Sequence, residues 1–196
     1  MNYQNRVRDH LIQSADVKRR IAEEGLEPII QAANMIAEAF HKGNKMLLCG
    51  NGGSAADCQH LATEFVSRLT VDFERQGLPA LALTTDTSFL TAYANDCGFE
   101  GLFERQVETF GKSGDVLLGI STSGNSVNVI KAVETAKNLD IKVVALTGQN
   151  GKLNEISDVI ISVPSSETQY IQEAHLSVEH ILCDLIECIL FGKQDQ

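Results

Sequence analysis

The sequence has no tryptophan and only three prolines, and its 16 lysines and arginines are outnumbered by 26 aspartates and glutamates. The basic residues are scattered and do not form the patch typical of nucleic-acid-binding proteins, so the composition argues against a nucleic-acid partner. No apolar run is long enough to cross a bilayer, and the polar N-terminal segment resembles neither a signal peptide nor a membrane anchor. We therefore expect a cytoplasmic protein without a membrane partner.

The cysteines also exclude some classes of protein. There are five of them, an odd number, and no CxxC pair occurs. Most lie inside apolar segments, which is typical of free thiols in a reducing compartment and not of a disulfide framework. The absence of CxxC argues against a thiolate metal site or a redox pair.

From residue 46 onward, short apolar runs alternate with segments of helical composition. The helical segments are residues 55–67, 87–95 and 125–139. The apolar runs are Met46–Cys49, Ala80–Leu83, Val116–Ile120, Val143–Leu146 and Val159–Val163. Continuous apolar runs of this length indicate strands that are buried on both faces. The alternation predicts an α/β fold, a three-layer sandwich with a five-stranded parallel sheet between helices.

The two ends of the chain are predicted to be helical. Helical spacing of apolar residues extends over Tyr3–Glu24 and Leu26–His41, and a long apolar segment covers Glu167–Phe191. A helix this apolar at a chain end is expected to be buried, in part against another subunit. The length suits one domain over residues 1–196, with residues 1–42 used in oligomer packing.

The first unusual loop is Gly50-Asn51-Gly52-Gly53-Ser54, between a predicted strand and a predicted helix. Its glycines let the backbone approach a ligand closely, and Ser54 can cap the helix or bind an oxyanion. The segment also fits the dinucleotide pattern G-x-G-x-x-A, but the next strand ends at Asp86, too late for the acidic residue that binds ribose. A tight turn without a ligand is the third interpretation.

The second loop is rich in hydroxyl groups. Ser121, Thr122, Ser123 and Ser126 surround a glycine where a strand leads into a helix. Hydroxyls and backbone N–H groups at a helix N-terminus can hold a phosphate even in an acidic protein. A cluster of N-capping residues is the alternative, but four hydroxyls exceed what capping needs, so the pattern favours phosphate.

Ionisable side chains form two groups outside these loops. His60 and Glu64 are four residues apart and therefore share one helical face, the spacing of metal ligands or of an acid–base pair, although a solvated surface pair has the same spacing. The last predicted helix carries Gln172, Glu173, His175, Glu179 and His180 within nine positions. By helical periodicity Gln172, His175 and Glu179 share a face best. We expect His175 to be a core or interface histidine that is hydrogen-bonded to a neighbour.

Taken together, these segments resemble the SIS (sugar isomerase) domain family and, within it, the phosphoheptose isomerases. The matching segments are CGNGGSAAD at 49–57, HLATEFVSR at 60–68, ANDCGF at 94–99, GDVLLGISTSGNSVNVIKA at 114–132, VALTG at 144–148 and IQEAHLSVEHILCDLIE at 171–187. The STSGNS loop is typical of the SIS domain in general. His60, Glu64, Gln172 and His180 are typical of the isomerase.

The resemblance implies a flavodoxin-like SIS domain that interconverts sedoheptulose 7-phosphate and D-glycero-D-manno-heptopyranose 7-phosphate, on the way to ADP-heptose for lipopolysaccharide core. It implies a homotetramer with active sites across subunit interfaces. Glu64 would be the base and His180 the acid. Substrate would be bound by Asn51, Gly52, Gly53, Ser54, Arg68, Asp96, Ser121, Thr122, Ser123, Ser126 and Gln172. Zinc would be bound by His60, Glu64, Gln172 and His180, with no organic cofactor.

Two points depart from or compete with this assignment. Where the isomerases most often have an acidic residue, three positions before the glutamine, this chain has Gln169, with Glu167 as a potential substitute. A related replication factor, which associates with the replication initiator, has the same fold but lacks the catalytic glutamate and the late histidine. A binding protein without catalysis is therefore the alternative function, and the presence of Glu64 and His180 argues against it.

Overall fold

The computed structural model describes residues 2–192. Its five strands are β1 (Met46–Gly50), β2 (Ala80–Ala82), β3 (Val116–Ser121), β4 (Lys142–Thr147) and β5 (Val159–Ser162). They form one sheet in the order β2-β1-β3-β4-β5, and all neighbouring strands are parallel. The predicted five-stranded parallel sheet is confirmed, and its order is that of the flavodoxin-like doubly wound folds.

Nine helical segments accompany the strands within the described residues. They are α1 (Tyr3–Glu24), α2 (Leu26–His41), α3 (Gly53–Val66), α4 (Thr87–Cys97), a 3-10 turn (Phe99–Gly101), α5 (Leu102–Phe110), α6 (Val127–Asn138), α7 (Leu153–Ile156) and α8 (Thr168–Phe191). The predicted helices are all present, and their ends differ from the prediction by at most two residues. The 3-10 turn, α5 and α7 were not predicted.

The sheet separates two apolar layers. Leu48 of β1 and Leu118 of β3 face the layer formed with α1, α2, α3 and α8. Leu47 and Leu117, one position earlier on the same strands, face the layer formed with α5 and α6. Because successive side chains of a strand point to opposite faces, the continuous apolar runs supply both layers at once.

The C-terminal helix α8 lies against α1, α2 and α3 of its own chain. Val178, Leu182 and Ile186 are buried there. Ile181 and Ile189 are 45% and 48% exposed, so this helix keeps an apolar strip on the surface. Contact of that strip with another subunit stays a prediction, as do the single domain over 1–196 and the role of residues 1–42 in oligomer packing; Met1 and residues 193–196 lie outside the described residues. None of the described helices combines the length and hydropathy that a membrane crossing requires.

The position of the site follows from the strand order. The chain leaves β1 toward β2 on one side and β3 toward β4 on the other, so the loops that follow β1 and β3 diverge. Ligands of open parallel sheets bind in the crevice at such a switch point, outside the carboxyl ends of the strands. Both loops singled out in the sequence begin there.

Candidate functional site

The glycine loop folds tightly into the first turn of α3. Gly52 has φ of +57° at the N-cap position, a conformation that L side chains rarely adopt. A Cβ added to Gly50 would lie 2.8 Å from the carbonyl oxygen of Ser54, so that position has no room for a side chain. Ser54 is 3% exposed. The backbone can therefore approach a ligand closely at Gly52 and Gly53, which are both on the surface.

A pair of amides connects this loop to the helix of the second loop. Asn51 Nδ2 donates to Asn128 Oδ1 at 2.9 Å, and Asn128 Nδ2 donates to Asn51 Oδ1 at 2.8 Å. Asn128 is 3% exposed and belongs to the first turn of α6. Sequence reasoning assigned Asn51 to the sugar but missed Asn128, since a single asparagine in a helix has no local signature.

The hydroxyl loop, residues 121–126, is arranged around the side chain of Ser121. Its Oγ lies 2.9 Å from Ser126 Oγ and 3.4 Å from Ser123 Oγ. Ser126 occupies the N-cap position of α6 but makes no side-chain capping hydrogen bond. The capping alternative is therefore not supported for this residue. Several hydroxyls beside a helix N-terminus are the groups that a phosphate dianion requires.

The segment after β4 is hydrogen-bonded to the hydroxyl loop and supports it. Gly148 N donates to the carbonyl of Thr122, and Leu153 N donates to that of Gly124. Gly124 has φ of +64°, and a Cβ there would lie 2.7 Å from the carbonyl oxygen of Asn150. Backbone hydrogen bonds, together with those of the Asn125 side chain, therefore hold the loop in shape without a ligand.

A histidine pair joins α3 to α8. His60 Nε2 lies 2.9 Å from His180 Nε2, and the ring centroids are 5.2 Å apart. The Oε1 atom of Glu64 is 3.7 Å from His60 Nε2. The side chain of His60 is 43% exposed and that of Glu64 is 18% exposed. The packing of α3 against α8 brings His60 and His180 of one chain into contact. The active sites across subunit interfaces that the resemblance implies stay a prediction.

Gln172 lies against the start of α3. A Cβ added to Gly53 would lie 2.5 Å from Gln172 Nε2, so the amide lies against the first turn of α3. His60 is seven residues further along that helix, a rise of about 10 Å. Of the four residues expected to share one ion, the contacts described here join His60 to His180 and to Glu64; the participation of Gln172 stays a prediction.

The histidine pair fits part of a zinc site. Two ligands of one tetrahedral zinc are about 3.3 Å apart, given bonds of 2.0–2.1 Å, and the two Nε2 atoms are 2.9 Å apart. Imidazole and carboxylate are suitable donors for that ion. Within residues 2–192, however, no three His, Cys, Asp or Glu side chains have the spacing of a metal-binding group. Glu64 and Gln172 would have to rotate to complete the set.

The polar groups on the inner face of α8 belong to the core. His175 is fully buried, and its Nε2 donates to the carbonyl of Thr147 at 3.2 Å. This burial and hydrogen bond confirm the expected core histidine, and burial lowers the pKa of His175 to about 4. Glu179 is also fully buried; burial and then the charge of Asp57 raise its pKa to about 8. Burial raises the pKa of Asp57 as well.

Arg68 and Asp96 lie at the surface. Arg68 Nη1 is 3.8 Å from Glu74 Oε1, in an ion pair whose side chains are 39% and 92% exposed. Asp96 lies near the end of α4 and accepts a hydrogen bond from Asn95. Their contacts with sugar stay predictions, as does the substitution of Glu167 for the acidic residue replaced by Gln169; both of these side chains are exposed.

Comparison with known proteins agrees with the geometry. The SIS domain family model matches residues 10–148. A phosphoheptose isomerase of Aneurinibacillus thermoaerophilus is 52% identical over 96% of this chain and 96% of its own, and one from Roseiflexus is 50% identical over 94% and 93%. The structure of phosphoheptose isomerase GmhA from Neisseria gonorrhoeae superposes with a TM-score of 0.89 at 45% identity, covering 95% of this chain and 99% of the other.

These matches run through both loops and both helices of the site. The dinucleotide interpretation of the glycine loop finds no support among these relatives, which are named as isomerases. The chain therefore belongs to the SIS domain family, within its phosphoheptose isomerase branch, and is an isomerase.

Proposed function

We propose that the protein converts sedoheptulose 7-phosphate into D-glycero-D-manno-heptopyranose 7-phosphate, the reaction that begins ADP-heptose synthesis for lipopolysaccharide core. The observation that carries the proposal is the shared helix α3. Its N-terminus belongs to the glycine loop, beside the hydroxyl loop, and its later turns present His60 and Glu64 to His180. One element thus connects groups suited to a phosphate with groups suited to proton transfer. The names of the curated relatives support the heptose phosphate.

The phosphate would bind at the hydroxyl loop. Ser121, Thr122, Ser123 and Ser126 offer hydroxyls, and the first turn of α6 offers backbone N–H groups; Ser54 with Gly52 and Gly53 completes the second side. Because the loop is braced by the segment after β4, little reorganisation is needed on binding. Asn51, held by Asn128, would then present its amide to the sugar, with Arg68 and Asp96 beyond it.

Isomerisation needs one proton moved between two carbons. A base takes a proton from C1 of the ketose, an enediolate forms, and a proton is delivered to C2 while one proton passes from O1 to O2. Glu64 is the proposed base, because its carboxylate is largely buried, at 18% exposed, and lies 3.7 Å from the ring of His60. His180, whose Nε2 is within hydrogen-bond distance of another imidazole, is the proposed acid.

Zinc is the proposed cofactor, bound by His60, Glu64 and His180 with Gln172 after rotation of its side chain. When bound, it would stabilise negative charge on the enediolate oxygens. We propose that the assembled enzyme is a homotetramer in the cytoplasm, as the resemblance implies.

The test is turnover of sedoheptulose 7-phosphate by the purified protein, with and without a chelator, followed by detection of the aldose. Turnover that is lost with chelator and restored by zinc supports both the reaction and the metal. Turnover that is unchanged by the chelator supports the reaction and argues against zinc as its cofactor. Absence of turnover with zinc present contradicts the proposed reaction and favours the non-catalytic alternative.

A further inference from the structure

The segment between α3 and β2, residues 67–79, contains one deeply buried charged side chain. Most of its residues are exposed, but the side chain of Arg75 is 1% exposed and faces that of Glu187 on α8, which is 0% exposed. An ion pair removed from water to this degree is rare unless its geometry is closely satisfied. The reaction proposed above uses neither residue.

The guanidinium of Arg75 connects the end of α3 to α8. Its Nε donates to Glu187 Oε1 at 2.8 Å, its Nη2 to the carbonyl of Glu64 at 2.7 Å, and its Nη1 to the carbonyl of Phe65 at 2.9 Å. The last carbonyls of a helix have no partner within it, so Arg75 acts as the cap of α3. The N–H of Leu69 also donates to Glu187 Oε1, at 3.3 Å.

This link continues a series of contacts between two parallel helices. We number these contacts as levels from the start of α3. At the first level the side chain of Gln172 lies against Gly53, and at the second level the ring of His60 contacts that of His180. At the third level Arg75 donates hydrogen bonds both to the backbone carbonyl of Glu64 and to the carboxylate of Glu187. His180 and Glu187 are seven residues apart, which places them on the same face of α8. The third level therefore lies directly beyond the proposed acid and base.

The pairing of the two charges is by itself a weak source of stability. Removing two charges from water costs so much that apolar side chains of similar volume often stabilise a protein equally well or better. The pair also restricts geometry. Because the guanidinium is planar and its donors are fixed, these hydrogen bonds form in only one relative position of the two helices.

We propose that Arg75 and Glu187 are positioning residues, which hold the end of α3 against α8 so that Glu64 and His180 are aligned for proton transfer. This inference rests on the proposed isomerase function. The pair touches neither the hydroxyl loop nor the glycine loop, so it acts on the chemical step and not on the binding of phosphate.

The first experiment separates alignment from stability. The double variant Arg75→Met/Glu187→Leu replaces the ion pair by apolar groups, and the exposed pair Arg105→Met/Glu108→Leu on α5 is the matched control. For the buried variant we expect thermal unfolding below the wild-type temperature, because the carbonyls of Glu64 and Phe65 and the N–H of Leu69 lose these partners. Both kinetic constants are therefore measured at a temperature at which the variant is fully folded. We expect kcat for sedoheptulose 7-phosphate to fall about 10- to 100-fold while KM changes by less than about threefold. The control variant should keep both constants, and a buried variant with wild-type kcat would overturn the proposal.

A conservative variant covers the case in which the double variant does not fold. Arg75→Lys keeps the charge opposite Glu187 but cannot reach the carboxylate and both carbonyls in one plane. We expect it to fold and to lose kcat about 10-fold, with KM unchanged within about threefold. Wild-type kcat in a folded Arg75→Lys protein would overturn the proposal.

The second readout is independent of turnover. The chain has five histidines, so selective ¹⁵N labelling gives a spectrum with few ring signals. We expect the ring signals of His60 and His180 to shift in the folded Arg75 variants, while those of His10, His41 and His175 stay in place. If the wild-type protein fails to turn over the sugar phosphate, the proposed function fails, and these signals still decide the inference. Unchanged signals of His60 and His180 would overturn it.

Discussion

The two halves of the site are built differently. The hydroxyl loop takes its shape from backbone hydrogen bonds and from Gly124, all within one stretch of chain and the segment after β4. The His60–His180 contact joins residues 120 positions apart and depends on how two helices pack. A loop of the first kind depends mostly on contacts with neighbouring parts of the sheet. The contact between His60 and His180 has the right geometry only when α3 and α8 are packed in the right relative position.

This difference separates binding from catalysis in the proposed reaction. Changes in the hydroxyl loop should weaken substrate binding, and changes along the α3–α8 contact should slow the chemical step. Changes to buried residues between α8 and the sheet, such as His175, should mainly affect the free energy of unfolding. The following predictions run from the largest expected effect to the smallest.

Glu64→Gln removes the proposed base and keeps the size of the side chain. We expect kcat to fall about 10²- to 10⁴-fold, the usual contribution of a general base, with KM nearly unchanged because the phosphate contacts remain. Steady-state kinetics on sedoheptulose 7-phosphate measures both constants. The control is Glu38→Gln on α2, a residue 66% exposed and paired only with Lys42 in the ion pairs described. Full activity of Glu64→Gln would assign the proton transfer to another group.

Acid should weaken the core contact that holds α8 to the sheet. Burial lowers the pKa of His175 in the folded protein to about 4, below its ordinary value of 6.5. Between these two pH values the unfolded chain therefore binds a proton at His175 that the folded chain does not bind. Its contribution to the free energy of unfolding is complete above pH 6.5 and is lost as the pH falls toward 4, by roughly 3 kcal/mol in total.

The measurement for this prediction is urea unfolding at several pH values. His175→Gln keeps an amide donor for the carbonyl of Thr147 but cannot take up a proton, so its stability should fall less between pH 6.5 and 4 than that of the wild-type protein. His41→Gln, at the exposed end of α2, should follow the wild-type curve. Parallel curves for His175→Gln and wild type would show that His175 does not titrate in this range.

Ser126→Ala removes a hydroxyl from the proposed phosphate site without changing the cap of α6, which this side chain does not make. We expect KM to rise about 10-fold, the effect of one hydrogen bond to a charged group, while kcat changes little. Competition by inorganic phosphate should weaken in parallel. Ser113→Ala is the control, because Ser113 donates to Asp140 at the opposite end of the sheet. A fall in kcat with constant KM would contradict the assignment of this loop to binding.

Gly53→Ala has the smallest expected effect and tests where Gln172 lies. The new methyl group would meet only the flexible end of the Gln172 side chain, which can swing aside. We expect the free energy of unfolding to change by less than about 1 kcal/mol, because alanine also favours the helix. Urea unfolding at neutral pH measures it. A loss of several kcal/mol would show that the Gln172 amide is held rigidly against α3.

The sequence was sufficient for the sheet and for the loops. Five apolar runs and their alternation with helical segments predicted all strands, because a strand buried on both faces has an unmistakable local composition. The hydroxyl loop was equally visible, since its residues are neighbours in the chain. α5 was missed because nine residues give too short an apolar pattern to be distinguished from a loop, although Leu102, Phe103 and Val107 are buried.

Contacts between distant segments were much less predictable. His60 and His180 were recognised through the resemblance, but no spacing along the chain predicted that their rings lie in contact. Asn128, Arg75 and Glu187 were missed altogether. Each is defined by a partner at least 77 residues away or by a carbonyl in another element, and no spacing along the chain records such a contact.

The most direct test of the central claim is the conversion of sedoheptulose 7-phosphate in deuterated water, with NMR observation of C2 in the aldose product. If Glu64 moves the proton through an enediolate and exchanges it with solvent, the wild-type protein places deuterium at C2 and Glu64→Gln gives almost no product. Product formed at the wild-type rate by Glu64→Gln, or no product from the wild-type protein supplied with zinc, would contradict the account.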